Sequence, residues 1–493
     1  MRKYIGILYF FFMIFLYYMT KNNNIFLLTV SFSLVAIFMN LFLAFDYKSA
    51  LKQYHKQENY YLRDKIFKCY LLMTFIVMLF LGIFAYLLGS IMNIDKLNII
   101  NLIAVSFLLN SIFVKIMSSY LEVVGYKKIG TNLNEIFFLI TIVIDIIGVI
   151  LSFKVFKLND YWGVMFIYLG GIIAFIFVFL TLFFTIFRKH NKNIIKNKEK
   201  IRINYLKEYG KVFIKKDSAM LVLKIIKPFY IYFSIIILYY VLMNKYNYNY
   251  YDVGRMITDT YFFGIIVIYV IYLIIKSLYI SKVNSLIVEL KNKSVKAESM
   301  FNNLINKVVS FLLRICVVLS VISGPFNYLL FGNNYNIIFY LVPLLFFYLL
   351  YDIIVDVSLA CNENKKVLGV IFSGILVKMI FEIELVATMY RMGYSLLFGS
   401  IMSNILGYII SMIVGLFFIQ RKLKISFLNN FNTILNIIYD NILLCIVLVL
   451  FTLIVKVDTN TLGSSILVIV FYLMVTGAYL LLEKRIKKFR NDS

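Results

Sequence analysis

The sequence predicts an all-α polytopic membrane protein with about fourteen transmembrane helices, and three observations support this fold class. Of the 493 residues, 62% are hydrophobic and only 15% are charged, and a soluble domain cannot bury so much apolar surface. The apolar residues occur in blocks of about 18 to 25, the length needed to cross a hydrocarbon core of ~30 Å. Most of the polar segments between these blocks are short.

Fourteen apolar blocks, each bounded by polar or charged residues, are predicted to form the helices. The first block follows Arg2 and Lys3, as in a secretory signal, but no small-residue cleavage site comes after it. We therefore expect it to be retained as the first helix. In chain order, the predicted helices cover residues 4–19, 25–45, 69–89, 99–121, 136–156, 162–187, 218–243, 257–280, 308–331, 337–358, 367–387, 394–419, 441–457 and 462–482.

The net charge of +26, from 50 Lys and Arg against 24 Asp and Glu, is explained by membrane topology. The basic residues concentrate in the segments that follow even-numbered helices, which the positive-inside rule places in the cytoplasm together with both termini. A solvated linker near anionic headgroups is the preferred interpretation of the basic segment 188–217. No nucleic-acid partner is predicted. The segments after odd-numbered helices, taken with the adjoining helix ends, hold only Lys21, Lys96, Lys154, Lys157, Lys245, Arg255, Arg391 and Lys456.

The reactive residues argue against an enzyme. Four cysteines are scattered singly and two histidines lie in basic loops, which disfavours a disulfide framework, a zinc site or His-based catalysis. No phosphate-binding loop, nucleophile elbow or metal signature is present. The sequence therefore predicts no catalytic residue, no metal site and no cofactor.

An internal repeat relates the two halves of the chain. Residues 120–128 and 358–366 each end a helix and begin a basic turn, and residues 86–89 match residues 328–332. This pattern predicts two lobes of six helices that enter the membrane from the same side, with a transport pathway between them. The predicted domains are the N-lobe 1–187, the basic cytoplasmic linker 188–217, the C-lobe 218–420, and two C-terminal helices with a basic tail, 421–493.

Four segments carry a family resemblance: residues 330–335, 252–254, 362–420 and 125–188. They resemble the multidrug, oligosaccharidyl-lipid and polysaccharide (MOP) exporter superfamily, and within it the bacterial polysaccharide-biosynthesis flippases. Residues 330–335 look like that family's outer turn between helices 9 and 10, and 252–254 look like its turn after helix 7. The run 362–420 and its first-half equivalent 125–188 are similar to the family's paired long helices.

The resemblance implies an exporter that works by alternating access in the bacterial cytoplasmic membrane. It would move an undecaprenyl-pyrophosphate-linked oligosaccharide from the inner to the outer leaflet for cell-surface polysaccharide biosynthesis. Its expected partners are the lipid-linked saccharide, membrane lipids, a polysaccharide polymerase and glycosyltransferases. Coupling to a proton or sodium gradient is left open.

Cations inside the predicted spans are candidates to bind the pyrophosphate, because a charge at mid-membrane costs ~2.5 to 3.5 kcal/mol and usually faces a partner or a wet cavity. Lys224 and Lys227 are three residues apart, so they share one face of their helix. The alternative is that the long side chains reach the cytoplasmic headgroups. The candidates are Lys224, Lys227, Lys115, Arg314 and Lys378.

Lys378 lies too deep to reach either surface easily, at twelve residues or ~18 Å beyond Lys366. Glu382 is one turn further along the same helix face, so an ion pair within the helix is one interpretation. A proton- or cation-linked site that also includes Glu384 is the other.

Intramembrane acids are candidates for ion coupling or gating. Asp145 lies in the middle of the fifth predicted helix, at the position that the repeat aligns between Glu382 and Glu384, as a cation or proton relay would need. A hydrogen bond to Thr141 or to nearby backbone is the alternative. Asp352 and Asp356 are four residues apart and align with Lys115, either as part of a cytoplasmic gate or as acids at the membrane surface.

Four other functions stay open, one of which is a structural scaffold without transport. A lipid II flippase belongs to the same superfamily, and so does a cation-coupled multidrug exporter, in which the acids rather than the lysines would line the cavity. A membrane polysaccharide polymerase or ligase is a different class of protein, which we would expect to carry a large outer loop with convergent Arg and His. The predicted outer loops are short.

Overall fold

The computed structural model describes residues 2–20, 25–43, 45–56, 60–182, 204–214, 218–292, 296–331, 337–360, 364–423, 431–454 and 461–492. Within these ranges every regular element is helical. Apolar segments fold this way in a membrane because a helix gives each backbone N–H and C=O a partner within the segment, where no water is present to supply one. The all-α fold class predicted from the sequence is confirmed.

Seventeen helices are described, and three short π-helical segments, at Leu151–Val155, Val241–Lys245 and Thr258–Gly264, interrupt or extend them. The helices are α1 Arg2–Thr20, α2 Phe26–Leu43, α3 Tyr47–Lys56, α4 Tyr60–Ile91, α5 Leu97–Val124, α6 Lys127–Ile150, α7 Asp160–Leu182, α8 Tyr205–Ile214, α9 Ser218–Tyr240, α10 Tyr250–Ile257, α11 Ile265–Lys291, α12 Lys296–Phe331, α13 Ile337–Ala360, α14 Asn364–Arg391, α15 Leu396–Leu423, α16 Phe431–Ile454 and α17 Leu462–Asp492.

Eleven helical runs in the described part of the chain are long and apolar enough to cross a membrane. Two further apolar segments, Phe11–Thr20 and Ile437–Thr452, are shorter. Helix α14 has 28 residues but carries Lys378, Glu382 and Glu384 in its middle, so its length suffices while its apolar run is broken. These elements together account for the fourteen predicted spans. The chain is a multi-pass membrane protein.

Residues Met1–Thr258 form one compact unit. In it, α5 packs against α2, α4, α6 and α7, while α6 also contacts α1 and α7. Tyr168 of α7 and Ser31 of α2 share a buried hydrogen bond of 2.7 Å. The short helices α3 and α8 contact each other and α4, and α3 also contacts α5.

Residues Asp259–Ser493 form the second compact unit, which repeats the same helix pairings. Helix α13 takes the place of α5 and packs against α11, α12, α14 and α15, and α14 pairs with α15 as α6 pairs with α7. The two C-terminal helices α16 and α17 both pack on α12. This helix has 36 residues, so it is ~54 Å long and exceeds the ~30 Å hydrocarbon core.

The boundary between these contact units differs from the predicted lobe boundary. Helices α9 and α10 belong to the first unit, although the sequence assigns them to the C-lobe 218–420. The physical reason is that α9 packs along α2, where the rings of Tyr239 and Phe26 stack with centroids 5.2 Å apart. Most of the linker 188–217 lies outside the described residues, and the lobe division based on the repeat stays a prediction.

Two turns use glycine in the left-handed region of backbone conformation. Gly125 has φ 113° in the turn from α5 to α6, and Gly393 has φ 77° in the turn from α14 to α15. Side chains other than glycine rarely adopt this conformation. These glycines therefore let long neighbouring helices reverse direction within a few residues and pack side by side.

Candidate functional site

Lys378 and Glu382 form a buried ion pair on α14. The Nζ atom of Lys378 lies 2.7 Å from Oε2 of Glu382, and the two side chains are 1% and 0% exposed. Ser403 of α15 also donates to Oε2, and Ser400 donates to Oε1. Tyr261, from the π-helical segment before α11, lies 2.5 Å from the Ser400 hydroxyl. We call these five residues the unit-2 polar cluster.

Gly399 brings the two helices of this cluster close together. A Cβ atom at Gly399 would lie 2.6 Å from the carbonyl oxygen of Leu385 and 2.6 Å from the Cα of Val386 on α14. Because there is no side chain at this point, the helix backbones touch, and the short side chains of Ser400 and Ser403 reach Glu382.

The unit-2 polar cluster is a neutral and internally satisfied network. The ammonium group of Lys378 offsets the carboxylate charge, and hydroxyl donors occupy both carboxylate oxygens of Glu382. An ion pair within the helix was one of the two interpretations predicted from the sequence, and this pair is formed. Glu384, two residues further on, is exposed on another face of α14 and does not join the cluster.

A second charged cluster in the same unit joins α11 to α13. Lys276 forms an ion pair with Asp352, and Tyr272 donates a hydrogen bond of 2.6 Å to Oδ2 of the same aspartate. Asp356, one turn along α13, lies 3.8 Å from the Lys276 ammonium. A cavity of about 130 Å³ opens beside the cluster, lined by Lys276, Asp356, Tyr279, Asn284 and four apolar side chains.

The sequence analysis did not single out Lys276, although it lies inside the predicted span 257–280. The sequence shows Lys276 as a lysine near the end of an apolar block. Such a lysine is also typical of the cytoplasmic boundary of a transmembrane helix, so it did not indicate a buried ion pair. Its pairing with Asp352, 76 residues away, depends on how α11 and α13 pack.

Asp145 occupies a different environment in the first unit. Its side chain is buried in α6 at 6% exposure, and its Oδ1 atom makes no hydrogen bond to any described residue. The Thr141 hydroxyl, one turn earlier, donates instead to the carbonyl of Phe137 at 2.9 Å. The hydrogen bond considered from the sequence between Asp145 and Thr141 is therefore not made.

Lys115 binds the carboxyl-terminal end of α2. Its Nζ atom donates to the carbonyl oxygens of Phe42 and Phe45 at 3.2 and 2.9 Å, and it lies 5.5 Å from the centre of the Tyr47 ring. Carbonyl groups at the end of a helix lack partners within the helix and attract a cation. In this geometry Lys115 caps α2.

Arg314 joins α12 to the last helix. Its Nη2 atom lies 2.7 Å from Oε1 of Glu483 on α17, and both side chains are mostly buried. The sequence analysis did not predict this partner, because Glu483 lies just beyond the last predicted span. The side chains of Lys224 and Lys227 on α9 lie outside the described residues.

Another buried arginine links α4 to α5 in the first unit. Arg63 is 2% exposed and pairs with Asp64 at 2.6 Å, and Tyr120 donates to the same carboxylate oxygen at 2.8 Å. Arg63 lies between the predicted helices 25–45 and 69–89, and only the packing shows that its side chain is buried. Nearby, Lys48 of α3 forms an ion pair with Glu122 of α5. In the described part of the chain, no three metal-ligating side chains come together.

No protein-family model matches the chain, and no curated protein matches it in sequence. Among solved structures, the lipid II flippase MurJ in its inward closed conformation matches with a TM-score of 0.62, over 98% of this chain and 98% of that chain, at 15% identity. A multidrug resistance MATE family transporter of the MOP superfamily matches in its inward-facing conformation, with a TM-score of 0.53 at 12% identity, over 83% of this chain and 95% of that one.

The outward-facing conformation of a MATE family transporter also matches, with a TM-score of 0.51 at 13% identity, over 85% of this chain and 94% of that one. At such low identity, these likenesses concern the fold alone. The fold expected from the sequence resemblance is confirmed. The chain has the polytopic, all-helical fold found in MurJ and in MATE transporters of the MOP superfamily.

Proposed function

We propose that the chain is a flippase that moves an undecaprenyl-pyrophosphate-linked oligosaccharide across the bacterial cytoplasmic membrane for cell-surface polysaccharide biosynthesis. The observation that carries the proposal is the likeness in fold to a lipid II flippase over 98% of both chains. The sequence resemblance to polysaccharide-biosynthesis flippases supports a lipid-linked oligosaccharide as the substrate.

Alternating access is the proposed mechanism. The solved structures of the same fold include inward-facing and outward-facing conformations of MATE family transporters. A substrate that binds one conformation more tightly than the other shifts the equilibrium between them by its difference in binding free energy. Binding of the saccharide and the pyrophosphate would supply that difference here.

Lys224 and Lys227 are the proposed pyrophosphate contacts. Three other candidate cations, Lys115, Arg314 and Lys378, already bind carbonyl or carboxylate oxygens of the protein, which favours the remaining pair. The two lysines lie one turn apart on α9. Two ammonium groups in a site of low dielectric constant bind a pyrophosphate strongly.

The first prediction tests this assignment. Purified wild-type protein in liposomes should move a labelled undecaprenyl-pyrophosphate sugar, and the double variant Lys224→Gln, Lys227→Gln should lose at least tenfold in rate, because the charges that hold the pyrophosphate are gone. The matched control is Lys245→Gln, at the other end of the same helical run, which should transport normally.

Two results would count against the proposal. If the double variant folds and transports at the wild-type rate, the lysine assignment is wrong. If the wild-type protein moves no labelled sugar under any ion gradient, the flippase function is wrong.

A lipid II flippase is the second candidate, since MurJ carries that name and shares the fold. The same liposomes loaded with labelled lipid II, in competition with a lipid-linked oligosaccharide, separate the two substrates. A deletion strain that becomes more sensitive to drugs would instead indicate a cation-coupled multidrug exporter. A polymerase or ligase would lengthen or transfer the saccharide, which the same assay detects as a change in product size.

A further inference from the structure

Three turns of the first unit meet at one surface, on the side of the membrane that the charge distribution predicts to be outside. They join α4 to α5, α6 to α7 and α9 to α10. The Tyr240 hydroxyl at the end of α9 donates to the carbonyl oxygen of Met92 at 3.0 Å. The Lys96 ammonium group lies 5.0 Å from the centre of the Tyr161 ring at the start of α7. These contacts bring the three turns next to one another.

The first residue of α10, Tyr250, completes this arrangement. Its ring centre lies 6.1 Å from that of Phe26 and 6.5 Å from that of Tyr239, so the ring is held against the outer ends of α2 and α9. It is also close enough to the carboxylates of Asp95 and Asp160 to interact with them electrostatically. Tyr250 therefore lies beside the charged residues of the other two turns.

Aromatic rings remain exposed on this surface. Trp162 is 45% exposed and lies 5.4 Å from the Tyr161 ring, while Tyr250 and Tyr251 are 38% and 40% exposed. Tyrosine and tryptophan combine an apolar ring with a polar tip, so they bind ligands that carry both C–H and O–H groups. We call the following residues the outer aromatic surface: Asp95, Lys96, Tyr161, Trp162, Tyr250 and Tyr251.

The backbone of the three turns has an uncommon conformation. In the described part of the chain, the non-glycine residues with positive φ are Asn93, Lys96, Lys157 and Asn247, and each lies in one of these turns. Such a conformation is rare and persists only where the surrounding structure holds it. The turn between α14 and α15 uses Gly393 instead. The turns of the first unit thus present their side chains in a fixed arrangement, as a preorganised binding site requires.

The charges of the turns indicate an uncharged ligand. The α4–α5 turn holds Asp95 and Lys96, the α6–α7 turn holds Lys157 with Asp160 directly after it, and the turn 246–249 holds only Tyr and Asn. Turns without net charge give no long-range attraction to phosphate headgroups or acidic polymers. Carboxylate and amide oxygens accept hydrogen bonds, and ammonium and amide groups donate them. Sugar hydroxyls supply both partners, and the C–H faces of a sugar ring fit the exposed aromatic rings.

We propose that the outer aromatic surface binds uncharged sugar units. This inference rests on the proposed function for its role, because it places the saccharide of the lipid-linked substrate on the first unit once it has reached the outer side of the membrane. The aromatic rings stack on the sugar rings, while Asp95 and Lys96 form hydrogen bonds with the hydroxyls. The site lies at the helix ends, away from the intramembrane cations proposed to bind the pyrophosphate.

Tryptophan fluorescence tests the site directly, because Trp162 is the only tryptophan of the chain. The purified full-length protein in nanodiscs is titrated with maltotriose and with chitotriose, two neutral saccharides. At least one should change the Trp162 emission in a saturable way, while inorganic pyrophosphate should not. Tyr161→Ala should raise the half-saturating concentration at least fivefold, and Asp95→Asn at least threefold. The matched control is Tyr394→Ala, a tyrosine that is 55% exposed in the α14–α15 turn, which should bind as the wild type does.

Three results would overturn the proposal. The first is an emission that neither saccharide changes, and quenching by brominated lipids would then show that the rings only contact the membrane interface. The second is a saturable response to pyrophosphate that competes with the sugars, which would indicate an anion site. The third is unchanged sugar binding in both Tyr161→Ala and Asp95→Asn, of which the isosteric Asp95→Asn decides if the other does not fold.

The liposome assay keeps this site separate from the flippase function. If neutral saccharides saturate the Trp162 signal but no lipid-linked sugar moves, the flippase proposal fails and the sugar-binding surface stands. If lipid-linked sugar moves but the signal does not respond to saccharides, the surface is wrong and the flippase proposal stands.

Discussion

At the scale of single residues, Asp145 and Glu382 show how two acids at nearly equivalent positions of the sequence repeat acquire different neighbours. Glu382 receives Lys378 and two serine hydroxyls, whereas Oδ1 of Asp145 faces the backbone of Gly170. A carboxylate with a full set of donors can stay charged inside a membrane protein. The two acids therefore differ in the polar groups around them, although the sequence repeat aligns them at nearly the same depth.

The second prediction concerns the Lys378–Glu382 pair. Lys378→Met should destabilise the protein by about 3 to 5 kcal/mol, because it leaves Glu382 charged and unpaired in a buried site. The double variant Lys378→Met, Glu382→Gln should recover most of this loss, since no net charge then remains. The stability of both variants is measured by thermal unfolding, followed by size-exclusion chromatography.

Glu384→Gln is the matched control for the pair, because this acid lies on the same helix but is exposed. It should leave the unfolding temperature unchanged. A single variant as stable as the wild type would show that the ammonium group does not neutralise Glu382.

At the scale of helices, α14 and α15 approach closely at Gly399. The absence of a side chain lets the backbone of α15 lie against Leu385 and Val386. This contact sets the rotation of α15 that presents Ser400 and Ser403 to Glu382. In the first unit, Gly89 of α4 meets the backbone of Asn98 of α5 in a similar way, at 2.6 Å from a Cβ position.

The third prediction follows from this contact. Gly399→Ala should destabilise the protein by about 1 to 3 kcal/mol, because the added methyl group overlaps backbone atoms that cannot move independently and so forces the helices apart. Gly369→Ala is the control on α14, where a Cβ meets no atom within 4 Å. This control should be neutral or stabilising by about 0.5 to 1 kcal/mol through helix propensity. Equal stability of the two variants would contradict the argument.

At the scale of the whole molecule, the helix pairings repeat between the two units. Helix α5 in the first unit and α13 in the second each pack against four long helices, two before and two after them in the chain. Internal repeats of this kind are found in many transporter folds. The likeness to MurJ and MATE transporters over most of the chain agrees with it.

The fourth prediction concerns orientation. In a protein with its native cysteines replaced by serine, Met392→Cys in the α14–α15 turn should react with a membrane-impermeant maleimide added to intact spheroplasts. Tyr126→Cys in the α5–α6 turn should react only after the membrane is opened. Both positions are exposed, so access to the reagent depends on the side of the membrane. The reverse pattern would place the termini outside and contradict the positive-inside assignment.

The sequence by itself determined the number and order of the spans, and it supplied the expected orientation. These properties are local, because a block of apolar residues needs only its own backbone to satisfy its hydrogen bonds in a membrane, and flanking basic residues act on insertion individually. The ion pair between Lys378 and Glu382 was predictable for the same reason, since a spacing of four residues places both on one helix face.

Only the tertiary structure showed which partners the other buried charges have. Lys276 reaches Asp352 across 76 residues of sequence, and Arg314 reaches Glu483 across 169. Such pairs depend on the rotation and register of one helix against another. Side-chain packing and glycine contacts between distant parts of the chain set this geometry, so a local sequence pattern does not reveal it. For the same reason, the sequence marked Asp145 as a candidate but could not show that Gly170 would close around it.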